Sequence, residues 1–455
     1  MQIHLPNKVN YIIGKLVQKG YEAYAVGGCI RDSMLGRDPQ DWDITTSATP
    51  NQIKCVFPKT IDTGIAHGTV TVELDHAYFE VTTYRIDGKY EDGRHPNEVL
   101  FTRNLKEDLR RRDFTINAMA YNEQNGLVDI FGGRGDLDKK IIRCVGEAKD
   151  RFTEDALRML RAIRFSAQLG FSIENGTKHA MTCLASNLNK ISAERVQAEL
   201  VKLLLSSNPQ KIREVYETGM SAIILPELDQ MMATKQNSPH HCYTVGEHCI
   251  QSLLYVAPQK VLRLTMLLHD IGKPCCISVD EKGINHFKGH QQKGAQMAKE
   301  ILKRLKFDND TIEKATKLIL WHDDLPPLDP VAIRQAIYRI GIEQYPALFA
   351  VKKADILAKS EYGRMEKLAY LASYEQLYGQ IREHQDCLSL KELAVSGKDL
   401  IEQGMKPGIK IGQMLEQMLQ LVLIHPQYNS KETLLRNRKA LEESSKATTC
   451  SGFCD

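Results

Sequence analysis

Apolar and polar residues alternate with period two mainly at the front of the chain. The runs are YAVGG at 24–28, DWDITT at 41–46, GTVTVEL at 68–74 and YFEVTTY at 78–84, each bounded by Gly, Asp or Pro. This pattern predicts short strands. Beyond residue 135 the texture changes to long stretches with apolar residues at helical spacing and charged faces, among them EDALRMLRAIRFSAQLG, KGAQMAKEILKRLKF and MLEQMLQLVL. These predict amphipathic helices. The expected fold class is therefore α+β: a small mixed sheet with helices in front and an all-α remainder behind. Punctuation falls near LDKK, KQNSPHH and DLPPLDP, and neither a repeat of fixed period nor a low-complexity segment is evident.

A length of 455 residues exceeds what one ordinary core organises and suggests two to four domains. With 60 Lys+Arg against 57 Asp+Glu the formal charge is only +3, and 42% of residues are hydrophobic. That excludes a disordered or histone-like chain, but not a local basic stripe that neutralises phosphates. The stripe is present: residues 139–164 carry eight Lys/Arg against four Asp/Glu. No apolar run reaches bilayer length and the N-terminus, MQIHLPNKVN, lacks a signal-peptide pattern, so a soluble cytoplasmic protein with no membrane partner is expected. The 11 cysteines are scattered, without a CxxC pair, and read as reduced thiols, with Cys450 and Cys454 in an uninformative tail.

Candidate chemistry begins at Asp41 and Asp43. One residue apart on an expected strand, they project to the same side and Trp42 to the other. Paired carboxylates suit hard divalent cations, which can activate an attacking hydroxyl and neutralise a leaving pyrophosphate. Upstream, Gly27 and Gly28 are expected to end a strand and open a helix carrying Arg31 and Asp32, a setting that lets backbone approach a triphosphate. Downstream, Glu80 between Phe79 and Val81 could complete a carboxylate trio, or simply face solvent.

The string GGCIRDSMLGRDPQDWDITTSATP resembles the signature of the class II tRNA nucleotidyltransferases, the CCA-adding enzymes, and of the related bacterial poly(A) polymerases. Further blocks follow in order: TGIAHGTVTVEL, FEVTTYRIDGKYEDGRHPNEVLFT, LRRRDFTINAMAY, RFTEDALRMLRAIRFSAQLGF and ISAERVQAEL. The ordered set is far more specific than any one motif. The resemblance implies a polymerase-β-like catalytic palm at 1–135, a helical neck at 136–215 that selects the nucleotide and binds RNA, an HD-type helical domain at 216–360 and a tRNA-binding tail at 361–455. It implies a Mg²⁺-dependent enzyme in which Asp41 and Asp43 hold the metal, Glu80 assists the primer hydroxyl, and Gly28, Arg31 and Arg112 hold the nucleotide. For Arg112 a structural ion pair with Asp113 is the alternative.

EDALRMLRAIR, read as one helix, places Asp155 and Arg158 three apart and Glu154 and Arg158 four apart, with Arg161 and Arg164 following at three-residue steps. For an anonymous helix this is a solvated salt-bridge stripe. The resemblance implies instead that Asp155 and Arg158 form an amino-acid template. Cytosine and adenine each offer an amino donor beside a ring-nitrogen acceptor, which an aspartate and an arginine match. Uracil and guanine reverse that polarity and leave buried groups unpaired at ~1–3 kcal/mol each. Arg161 and Arg164 would then serve the triphosphate or the primer end. The polar segment YRIDGKYEDGRHPNEVL resembles the loop that helps full CCA-adding enzymes switch from C to A.

Seven of the 14 histidines fall between residues 240 and 322: His240, His241, His248, His269, His286, His290 and His322. The order His248, His269-Asp270, Asp355 resembles the HD superfamily of metal-dependent phosphohydrolases and implies a second divalent metal, Mn²⁺, Ni²⁺, Mg²⁺ or Fe²⁺. His290 and His322 would supply a second-metal site and Lys273 a phosphate contact. In the tail, Lys431, Arg436, Arg438 and Lys439 are candidates for holding tRNA phosphates. The expected partners are tRNA, CTP and ATP. The alternatives are a poly(A) polymerase, a CC-only or A-only enzyme, or an HD phosphohydrolase whose head only binds RNA.

Overall fold

The computed structural model describes residues 3–88 and 99–450. The chain divides into two compact units, residues 1–230 with 304–307, and residues 231–303 with 308–455.

The first unit is built on a seven-stranded sheet. Its strands are β1 (Ala23–Val26), β2 (Ile44–Thr46), β3 (Thr60–Gly64), β4 (Thr69–Leu74) and β5 (Ala77–Thr83), with β8 (Met119–Asn122) and β9 (Gly126–Asp129) after the separate hairpin β6 (Arg85–Asp87) and β7 (Val99–Phe101). The order across the sheet is β3-β4-β5-β2-β1-β8-β9, with β2 and β5 parallel and the other neighbours antiparallel. This is the expected small mixed sheet. All four residues of β1 are buried, and β-branched residues supply buried positions on other strands of the sheet, such as Ile44, Val70, Val72 and Val81. Tyr24, Val26, Tyr84, Leu105, Leu109 and Ala120 form a core cluster against which Val128 and Phe131 pack. At about 25 cal/mol per Å² of apolar surface, each such fully buried side chain contributes roughly 1.5–3 kcal/mol.

Two features differ from the sequence expectation. Asp41 and Asp43 lie just before β2 rather than on it, because the strand spans only Ile44–Thr46. The ladder still reaches them: Val26 N–H donates to the Asp43 carbonyl at 3.0 Å. Second, EDALRMLRAIR is not one helix. The helix Ala148–Glu154 ends at Asp155 (φ −144°, ψ 104°), and a new helix runs over Leu157–Leu169. An aspartate carboxylate competes with the backbone for N–H groups: Asp155 Oδ1 accepts from Leu157 N–H at 3.0 Å and caps the new helix. The second helix stops at Gly170, whose φ of 74° suits glycine. The polar segment YRIDGKYEDGRHPNEVL, expected to help switch from C to A, falls largely at 89–98, outside the described residues.

The second unit is almost wholly helical, as expected. The helices that matter for its chemistry are Val245–Ser252, Lys260–Leu268, His290–Arg304, Asn309–Trp321 and Tyr345–Ala358. Among the described residues no helix is long and apolar enough to cross a membrane.

Candidate functional sites

In the first unit, β2 and β5 pair in register Ile44↔Val81 and Thr45↔Thr82. One step back, Asp43 and Glu80 occupy adjacent positions. Ile44 and Val81 are buried, so alternation turns both carboxylates to the opposite, open face, and Asp41, Asp43 and Glu80 are all exposed. Burial of the carboxyl group itself pushes Asp43 above the usual carboxylate range although the residue keeps an open side; Arg112 opposes this and the charge of Asp41 adds to it. A carboxylate crowded by a second one is a fitting ligand for a divalent cation. Among the described residues the three carboxylates do not form a set of donor atoms within 4.8 Å, whereas the histidines of the second unit do.

Gly27 has φ 86°, and a Cβ there would stand 2.9 Å from Arg112 Nη1. Glycine thus lets the arginine lie against the turn that precedes Gly28, the first residue of the helix Gly28–Met34. Arg112 pairs with Asp108 at 3.6 Å, not with Asp113, and its buried Nε makes no hydrogen bond. Asp108, fully buried, also accepts from Thr45 Oγ1 at 3.0 Å and from Arg111. It ties the strand after the aspartates to both arginines. Arg31 is buried and already engaged: it donates to both oxygens of Asp32 at 2.9 and 2.8 Å and to Asn117 Oδ1 at 2.7 Å.

The expected template residues are held separately. Arg195 donates to Asp155 through Nη2 at 2.7 Å and Nη1 at 3.3 Å. Arg158 donates through Nη1 to Glu154 Oε2 at 2.5 Å and through Nη2 to the Arg111 carbonyl at 3.2 Å. Arg161 meets Asp113 at 2.6 Å, and Arg164 meets Glu199 at 2.5 Å with its guanidinium 3.8 Å from the Phe165 ring centre. Burial opposes ionisation of Asp113, yet the Arg161 guanidinium and the Asn117 amide hold its carboxyl at about 2. Sequence reading missed Arg195 and Asp108. Arg195 stands in the quoted block ISAERVQAEL, but nothing local marks it as a partner of a residue forty positions away.

In the second unit His248, His269, Asp270 and Asp355 converge as expected, all buried. His248 Nε2 lies 3.0 Å from Asp355 Oδ1 and 3.2 Å from His269 Nε2. Two sets of donor atoms gather within 4.8 Å: His248, His269 and Asp270, and Asp270, His290 and His322. Asp270 belongs to both. Oδ1 faces His290 at 3.5 Å and His322 at 3.6 Å, and Oδ2 faces His269 at 3.4 Å and His248 at 3.7 Å. Each histidine turns Nδ1 to a backbone carbonyl: Met266 for His269 at 2.9 Å, Phe287 for His290 at 2.7 Å, Ile319 for His322 at 2.7 Å and Ala358 for His248 at 3.4 Å. A carbonyl only accepts, so a proton on Nδ1 would satisfy each of these contacts and leave Nε2 turned to the cluster, the tautomer that metal ligation requires. Asp270 Oδ2 is buried without a hydrogen bond, although Lys273 Nζ stands 2.7 Å away. The donor set and its orphaned oxygen fit a pair of divalent cations sharing one carboxylate.

Asp270, Asp355, His290 and His322 line a cavity of about 970 Å³, together with Lys273, Lys359 and His241. Burial resists charge on Asp270 and Asp355, but Lys273 beside the first and Lys359 beside the second hold both carboxyls well below the ordinary range. In the tail, Lys431 pairs with Asp399, Arg438 donates to the Gln403 carbonyl at 2.7 Å, and Arg436 and Lys439 are exposed.

The Poly A polymerase head domain family matches residues 23–143, the probable RNA and SrmB-binding site of polymerase A matches 170–232, and the putative tRNA nucleotidyltransferase domain 2 matches 290–437. The CCA-adding enzyme of Limosilactobacillus fermentum is 38% identical over 93% of this chain and 94% of its own length. That of Pediococcus pentosaceus is 36% identical over 94% and 95%. Among solved structures, the CCA-adding enzyme of Bacillus stearothermophilus in complex with CTP aligns with a TM-score of 0.70 and 30% identity over 97% of this chain and 98% of that one.

Proposed function

This chain belongs to the family of CCA-adding enzymes, and from that premise we propose that it adds and repairs the 3′-terminal CCA of tRNA from CTP and ATP without a nucleic-acid template, releasing pyrophosphate. The observation that carries the reading is the placement of Asp43 and Glu80 side by side on the open face of the sheet, with Arg112 held against Gly27 at the same edge.

Asp41 and Asp43 are the residues to hold Mg²⁺, which when bound supplies positive charge at the reacting phosphate. Glu80 orients the primer 3′-hydroxyl for in-line attack on the α-phosphate. Arg112, with Nε unpartnered, and the backbone at Gly28 bind the triphosphate; Arg31, already paired with Asp32, fixes the turn and adds positive potential there. Asp155 accepts from the amino group of cytosine or adenine, and Arg158 donates to the adjacent ring nitrogen after leaving Glu154. Arg161 and Arg164 brace this edge through Asp113 and Glu199 and favour the approach of the triphosphate or primer end. The division into a catalytic head at 1–135, a neck at 136–215, an HD-type domain at 216–360 and a tail at 361–455 is part of the proposal. So are a tRNA-holding role for Lys431, Arg436, Arg438 and Lys439, and a cytoplasmic location.

The test uses tRNA ending before CCA, after C and after CC, with CTP and ATP singly and together, followed by sequencing of 3′ ends. Completion of CCA from all three substrates is expected. Products ending only in C, only in A or in long A tails would point to a CC-adding, A-adding or poly(A) enzyme.

A second reading concerns the other unit. Two histidine triads sharing Asp270 beneath a lysine-rimmed cavity support a divalent-metal phosphohydrolase acting on phosphoesters such as 2′,3′-cyclic phosphates at RNA ends. Asp270→Asn is expected to abolish hydrolysis and spare nucleotide addition. Loss of both activities together would argue for one mixed site.

A further inference from the structure

Lys352, Asp355 and Lys359 stand at steps of three and four along and just past the helix Tyr345–Ala358, so they share one face. Only Asp355 is expected to meet a metal, yet both lysines are fixed by contacts that lead to the metal ligands. Lys359 Nζ donates to Asp355 Oδ2 at 2.5 Å, while Asp355 Oδ1 faces His248 at 3.0 Å and His269 at 3.5 Å. The two carboxylate oxygens are thereby divided, one to the lysine and one to the first triad. Lys352, buried, donates to the carbonyl of His322 at 2.9 Å and to that of Asp324. Those carbonyls follow the end of the helix Asn309–Trp321, where backbone acceptors lack intrahelical partners and a cation is favoured. His322 belongs to the second triad, and its main chain is what Lys352 holds.

We propose that Lys359 and Lys352 are positioning residues that set the two metal sites separately: Lys359 makes Asp355 a one-oxygen ligand of the first site, and Lys352 fixes the main chain that carries His322 into the second. The proposal rests on the two-metal reading of the Asp270 cluster. It adds that one helix face adjusts both sites. Without Lys359, Asp355 is free to offer both oxygens, which changes the coordination number at the first metal. Without Lys352, the buried His322 carbonyl and the half-buried Asp324 carbonyl lose their donor and the turn holding His322 shifts.

The test is equilibrium dialysis of the full chain against Co²⁺, with metal counted by atomic absorption and the visible spectrum recorded, since cobalt absorption reports coordination number. The native chain is expected to take two Co²⁺. Lys352→Met is expected to weaken one of them about 10- to 100-fold, the range for loss of a supporting partner outside the ligands, with the other unchanged. Lys359→Met is expected to alter the visible band and the affinity of the other Co²⁺. Lys352→Arg and Lys359→Arg, which keep a cationic donor, should restore most of the native behaviour, and CTP and ATP addition by every variant reports that the chain is folded. Two sites of native affinity and spectrum in both methionine variants would overturn the proposal, as would equal loss of both metals in either one. A native chain that takes no Co²⁺ would instead overturn the two-metal reading beneath it.

Discussion

Arg195 grips the carboxylate of Asp155 with two hydrogen bonds, of 2.7 and 3.3 Å, across forty residues of sequence. The pair decides which way the Asp155 carboxylate faces just where one helix ends and the next begins. A charge-assisted pair of this kind is worth more than a neutral hydrogen bond and also fixes geometry. Arg195→Met is therefore expected to lower discrimination of CTP and ATP against UTP and GTP by about 10- to 100-fold, from roughly 1.5–3 kcal/mol of lost orientation. Misincorporation measured nucleotide by nucleotide checks this. Asp155→Asn should relax selectivity at least as far while leaving thermal unfolding near native. Unchanged selectivity in both variants would remove Asp155 from the template.

Asp43 carries a carboxyl pushed up by burial and by Asp41, against the pull of Arg112. A folded-state pKa above the unfolded value means that protonation favours the native state. The charged form therefore costs stability at every pH above the raised value. Asp43→Asn is expected to unfold no earlier than the native chain at pH 7 without metal, while nucleotide addition falls at least about 100-fold because several kcal/mol of metal-borne stabilisation are lost. Mg²⁺ should raise the melting temperature of the native chain and have little effect on the variant, since a ligand stabilises only the state that binds it. Scanning calorimetry with and without Mg²⁺ distinguishes the two.

The Asp113–Arg161 pair predicts a pH dependence of the opposite sign. With the Asp113 carboxyl at about 2 against an ordinary value of 3.8, its contribution is complete above the ordinary value and is lost as pH falls from about 4 through 2. The shift corresponds to about 2 kcal/mol, which a buried group such as this keeps largely unscreened. Urea unfolding across that range should show the native chain losing more stability than Asp113→Asn. Parallel pH curves for the two would mean that the pair contributes nothing.

Gly272, between Asp270 and Lys273, has no room for a side chain: a Cβ would stand 2.2 Å from the His290 carbonyl and 2.6 Å from the Gly294 nitrogen. Gly272→Ala must push back the segment that carries His290, and His290 belongs to the second triad. The expected result is loss of one of two bound divalent ions and of phosphoester hydrolysis, with CCA addition retained. Metal counting beside a tRNA assay checks it. Two ions bound at native affinity would show that the His290 segment adapts without cost.

The sequence carried much of this. Short runs bounded by Gly, Asp or Pro marked β1, β2, β4 and β5; β5 shows the alternation that a half-buried strand imposes, whereas β1 and β2 are buried throughout. It also named Asp41, Asp43 and Glu80, since a strand pair places residues by counting. The histidines stood out for a different reason: seven of the 14 cluster between residues 240 and 322, and the order His248, His269-Asp270, Asp355 resembles a metal-binding signature. The EDALRMLRAIR segment shows the limit. Helical spacing joined Asp155 to Arg158, but the aspartate used its carboxylate to cap the following helix and broke the run.

By itself, the chain order determined the α+β architecture, because that depends on local periodicity, and it singled out the carboxylates and the histidines as candidates by their residue chemistry. Only the tertiary structure decided the partners: Arg195 on Asp155, Asp108 between Thr45 and Arg111, Asp270 shared by two triads, and Lys359 on one oxygen of Asp355. A buried charge must be matched wherever packing brings a counter-charge within reach. That meeting is set by the folded path of the whole chain, and no window of neighbouring residues records it.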